Sequence, residues 1–96
     1  MQYRDLIYRI HARQAMFTRS ISDECVEQII HNGEVIEDYP HAFPFPAKLL
    51  LGRCNSRFIH VVAAENSSKQ LVIVITAYEP TLDKWKPNMK TRRKPS

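Results

Sequence analysis

The sequence predicts an α+β fold, with two N-terminal helices packed on one face of a mostly antiparallel sheet of about four strands. Three observations predict it. Apolar residues recur at helical spacing up to His31, the run breaks at Asn32-Gly33, and the β-rich stretches beyond are parted by short polar turns. With 96 residues, 44% of them hydrophobic, the chain can build one modest core and no second domain. The domain is read over residues 1–86, with 87–96 as a loose basic tail.

Arg4 to Arg19 lacks Gly and Pro and places Leu6, Ile7, Ile10, Ala12, Ala15, Met16 and Phe17 at broadly helical spacing, so it reads as helix one. Its start stays open: Tyr8-Arg9-Ile10-His11 suits an extended chain equally, and Asp5 is the only good upstream cap. Helix two is read over about Asp23 to His31. Ser22 is its N-cap, Asp23 and Glu24 suit the positive end of the helix dipole, and Asn32-Gly33 stops it. Ile21, Cys25, Val26, Ile29 and Ile30 give it one apolar stripe. Glu34 to Tyr39 reads as a short strand, after which Pro40, Pro44 and Pro46 force an irregular connection. Lys48 to Arg53, Phe58 to Glu65 and Gln70 to Tyr78 read as strands of two successive hairpins, turning at 54–57 and 66–69.

Side chains alternate along strands, so register decides which residues share a face. Pairing Leu50 with His60, and His60 with Val74, puts Leu49, Leu51, Ile59, Val61, Ala63, Leu71, Ile73, Ile75 and Ala77 toward the helices. The opposite face then carries Lys48, Leu50, Gly52, His60, Val62, Val72, Val74, Thr76 and Tyr78, a mixture suited to a binding cleft.

Lys and Arg exceed Asp and Glu by 14 to 10, and the resulting basic character favours polyanionic partners. The longest apolar runs, Val61 to Ala64 and Leu71 to Ile75, cannot span a bilayer. The expectation is a soluble, cytoplasmic protein without a standard secretion signal, and with Cys25 and Cys54 both reduced. His11, His31, His41 and His60 match no metal-ligand spacing and the cysteines form no Cys-x-x-Cys, so neither metal nor cofactor is expected. With only Gly33 and Gly52 there is no phosphate loop of the P-loop kind.

An ordered set of short motifs runs through the chain. His11-Ala12-Arg13 with Met16 and Arg19 comes first, followed by Ile21-Ser22 and Gly33-Glu34-Val35-Ile36-Glu37-Asp38-Tyr39-Pro40. Leu49-Leu50-Leu51-Gly52, His60-Val61-Val62 and Tyr78-Glu79-Pro80 complete it. Over roughly residues 10 to 86 this pattern resembles the domain-of-unknown-function 4258 family. The resemblance implies a fold like the RelE and MqsR messenger-RNA interferases, which cleave RNA without metal and are often paired with a small antitoxin carrying a zinc finger. The family's recurring polar positions fall on His11, Arg13, Arg19, Tyr39, His60 and Tyr78. Departures are Lys48 where many relatives carry Arg, Ala15 where they carry Arg, and Ser20 where they carry Gly.

Metal-free RNA cleavage needs a base for the 2′-hydroxyl proton, an acid for the leaving oxygen and cations for the phosphorane. His60, Tyr78 and Lys48 are assigned to catalysis, aided by Arg53. RNA binding is assigned to Arg53, Arg13, Arg19, His11, Lys90, Arg92 and Arg93. The competing reading of His60 is a core histidine satisfied by a backbone carbonyl. For His11, Arg13 and Arg19 it is a polar network fastening helix one to Tyr39 and the Glu37-Asp38 strand. Trp85 either stacks on a base or anchors the tail by burying its ring. The expected function is therefore a toxin-type endoribonuclease with RNA and a cognate antitoxin as partners. The alternative is a non-catalytic module that binds a protein or RNA.

Overall fold

The computed structural model describes residues 1–94. Its elements are β1 (Asp5–Tyr8), α1 (Ile10–Arg19), α2 (Asp23–Asn32), β2 (Glu34–Tyr39), β3 (Ala47–Cys54), β4 (Arg57–Asn66), a 3-10 turn (Ser67–Lys69) and β5 (Leu71–Tyr78). The strands form one sheet in the order β1-β5-β4-β3-β2, with β1 parallel to β5 and every other pair antiparallel. Two helices pack on one face, as the sequence predicts, but the sheet has five strands rather than four.

The fifth strand comes from the segment read as the start of helix one. Leu6 and Tyr8 turn inward while Asp5 and Ile7 face solvent, a period of two. The Arg4 N–H donates to the Gln70 carbonyl at 2.7 Å and the Arg9 N–H to the Val74 carbonyl at 3.0 Å. Those ladder bonds draw the chain out, so α1 begins only at Ile10. It ends at Ser20, whose left-handed backbone (φ 54°) turns its N–H onto the Met16 and Phe17 carbonyls. Ser22 caps α2 as read, accepting from the Cys25 N–H at 3.1 Å.

Asn55 (φ 52°) and Ser56 (φ 67°) make a two-residue β3–β4 turn with both residues left-handed, the geometry that matches strand twist. Its register differs by one from the expected one: Leu51 lies opposite His60, and Leu50 opposite Val61. On β4–β5, His60 faces Tyr78 rather than Val74, and the pairing jumps from Val62–Thr76 to Ala63–Val74, leaving Ile75 as an extra residue. The slip reverses the faces of β3, and the bulge reverses those of β5 before Ile75. Leu50, Val72 and Val74 therefore join Ile59, Val61, Ala63 and Ala77 in the core against Ala12, Met16, Ile21, Cys25, Val26, Ile29 and Ile30. Leu49, Leu51 and Ile73, expected there, point the other way. Gly52 lies against Ile29 so closely that a Cβ would overlap that side chain.

The sheet's second face is covered too. Ala47, Ala64 and Ile73 are buried beneath Tyr39 at the end of β2 and Ala42 and Phe45 from the proline-rich connection. The start of the segment expected as a loose tail from residue 87 instead folds back on Lys84 and Trp85 as a hairpin: Trp85 bridges Arg92, the Arg93 N–H donates to the Lys84 carbonyl at 2.9 Å, and Trp85, in its anchoring reading, is 2% exposed. A buried indole supplies apolar area that a short basic peptide otherwise lacks. Residues 95 and 96 of that tail lie outside the described residues. Cys25 and Cys54, expected as free thiols, are paired in a disulfide with Cα atoms 5.9 Å apart, because the first turn of α2 sits over the end of β3.

Candidate functional site

His60 lies at the centre of β4, on the face away from the helices, and is fully buried. Its Nε2 stands 2.8 Å from the Met89 carbonyl, which can only accept, so Nε2 carries the ring proton. Nδ1 is then free to accept from the Tyr78 hydroxyl at 3.2 Å. Trp85 meets the imidazole edge-on, with ring centroids 4.5 Å apart. Burial pushes the His60 pKa below its ordinary value, partly opposed by the Met89 carbonyl and the nearby Glu37 carboxylate. The same loss of water raises Tyr78, so the phenol keeps its proton.

Arg92 closes the roof. Its Nε and Nη2 donate to the two Glu37 oxygens at 2.7 and 3.0 Å, a bidentate fork, and its guanidinium lies 4.6 Å from the Trp85 ring centroid. The Tyr39 hydroxyl donates to the same carboxylate. These bonds, the Arg92 fork foremost, hold Glu37 below the usual carboxylate range. Beside this cluster opens a cleft of about 470 Å³, lined by Arg19, Tyr78, Glu79, Pro80, Thr81, Lys84, Trp85 and Arg92.

Of the residues assigned to catalysis, the structure unites His60 and Tyr78 and separates Lys48. Lys48 pairs with Ala63, a core residue, and so belongs to the helix face; the one-residue slip of β3 puts it there. Arg53 is on the His60 side but extends over Phe58 at the sheet's far end. Arg19 reaches the cleft. His11 is exposed on α1, and Arg13 pairs with Asp23 and covers the Tyr8 ring, fastening α1 to α2 and β1 rather than to Tyr39. Lys90 pairs with Glu34 at 2.8 Å and Arg93 donates to the Leu82 and Trp85 carbonyls, so with Arg92 these tail cations hold the hairpin down. Glu37 and the Met89 carbonyl had no sequence signal as parts of a site, since one acts through a partner 55 residues away and the other is backbone. Among the described residues no three His, Cys, Asp or Glu side chains group closely enough to hold a metal ion, and no helix is long and apolar enough to cross a membrane.

The fold and site define a small α+β protein with a helix-backed sheet and a roofed tyrosine–histidine pair. Residues 8–79 match the family described as Domain of unknown function (DUF4258), and the chain belongs to that family. The match ends before the hairpin. No curated protein and no solved structure matches the chain.

Proposed function

We propose that this protein is a metal-independent endoribonuclease of the toxin type, acting on RNA and restrained by a cognate antitoxin. The observation that carries the reading is Tyr78, which lines a cleft bearing Arg19, Lys84 and Arg92 and is hydrogen-bonded behind that wall to the buried His60. Cations placed so can offset charge developing on a phosphorane. Tyr78, with its pKa raised, serves as the acid that protonates the leaving oxygen. His60, held neutral by burial, accepts the Tyr78 hydroxyl at Nδ1 and so positions that phenol.

Purified protein is expected to cleave messenger RNA equally with and without chelator. Tyr78→Phe, which removes only a hydroxyl, should lower cleavage by about 10²–10⁴-fold while leaving the melting temperature near wild type. A second reading, a module that binds without cutting, is favoured by the complete burial of His60 with both ring nitrogens satisfied. Undiminished cleavage by Tyr78→Phe selects that reading.

A further inference from the structure

Resting on the ribonuclease reading, we infer that the C-terminal hairpin is an internal plug. The Met89 carbonyl occupies the place at His60 Nε2 that an oxygen of an RNA phosphodiester would take, so the chain as folded is self-inhibited. A carbonyl oxygen and a phosphoryl oxygen make the same demand on an imidazole N–H, since each only accepts.

Three features point this way. Among the described residues Met89 is the hydrogen-bond partner of His60 Nε2, so moving Met89 away frees a donor on the ring edge opposite Tyr78, beside Trp85. Met89 reaches His60 from the hairpin tip by a left-handed backbone (φ 59°) with its N–H on the Lys86 carbonyl at 2.8 Å, a conformation uncommon for a residue with a side chain. Two ion pairs join the tip to the edge strand β2: Arg92–Glu37 is a bidentate fork on a mostly buried carboxylate, whereas Lys90–Glu34, next to Met89, is exposed at both ends. An exposed pair such as Lys90–Glu34 holds weakly and is screened by salt, so an RNA backbone can compete for Lys90. Trp85, buried on the near side of the tip, keeps Lys84 and the cleft wall in place while the tip moves.

Met89→Pro tests the plug directly, because proline cannot adopt a positive φ and has no N–H to give Lys86. Met89→Gly, at ease in the left-handed region, is the matching control. Binding is read with a 2′-O-methyl oligonucleotide, which cannot be cut, by titration and by the His60 imidazole resonances. If the open form is a minor state of about a tenth or less, Met89→Pro should bind at least about tenfold more tightly, with the His60 signals shifting, while Met89→Gly stays like wild type. Glu34→Lys, which repels Lys90 at an exposed position and spares the fold, should change binding in the same direction by less. Unchanged or weaker binding by Met89→Pro and Glu34→Lys overturns the plug, whatever happens to cleavage. Tighter binding with no cleavage of ordinary RNA by any form upholds the plug and rejects the ribonuclease reading.

Discussion

His60 shows how a titratable residue is made dependable by burial. Its ring is out of water, one nitrogen gives to Met89, the other accepts from Tyr78, and protonation would remove that acceptor. The consequence for stability has a definite sign. The folded pKa lies below the ordinary 6.5, so the unfolded chain binds the proton more readily. Stability is then complete above about pH 6.5 and falls as pH drops from there through the folded pKa. Glu37, depressed from 4.5, adds a loss in the same direction at lower pH. The melting temperature should therefore fall between about pH 7.5 and about pH 5, and His60→Gln should flatten that fall. A wild-type melting temperature that rises on acidification would contradict the placement of His60.

At the scale of elements, α1 is the least self-sufficient. Arg9 makes no side-chain cap to its first turn, and that turn has no acidic residue. At its other end Arg57 donates to the Arg19 carbonyl at 3.1 Å and the Ser20 carbonyl at 2.7 Å, supplying a cation where the dipole is negative. Ser20 itself bears the strain of the left-handed cap. The family resemblance calls for glycine at this position, and the geometry explains why, since glycine meets φ 54° without a Cβ clash. Ser20→Gly should stabilise the protein by about 0.5–1 kcal/mol in chemical denaturation, while Ser20→Val should destabilise it.

Across the whole molecule the sheet is the middle of three layers. The helices cover one face with aliphatic side chains, and the proline-rich connection and C-terminal hairpin cover the other with Phe45 and Trp85, beside Tyr39 of β2. Trp85 is the largest apolar group in that outer layer, and much of the hairpin's anchoring is expected to rest on it. Trp85→Ala should cost about 3–5 kcal/mol, read from the shift in denaturation midpoint at constant slope. Hydrogen exchange should then quicken across Lys84 to Arg93 well before it quickens in β4. Uniform quickening would mean that the hairpin and sheet open together.

Local chemistry was legible in the sequence. Ser22, Asp23 and Gly33 bounded α2, the period of two after Gly33 identified β2 through β5, and the polar breaks marked both turns, because caps, turns and amphipathic stripes act within a few residues. The family pattern, spread over many such short motifs, was legible for the same reason; His60 and Tyr78 were expected on one face, but with His60 opposite Val74 rather than opposite Tyr78. The tertiary structure decided what depends on distant partners. Whether Leu6 to Tyr8 were helix or strand hung on β5, more than sixty residues on in sequence. The one-residue slip in β3 and the bulge at Ile75 cost no local signal, yet they sent Lys48 to the helix face and exchanged Ile73 with Val72 and Val74. The basic tail became a roof only because Glu34, Glu37 and a buried surface for Trp85 were waiting on the folded sheet, and a charge pair or an apolar contact has no meaning until the fold brings its two halves together.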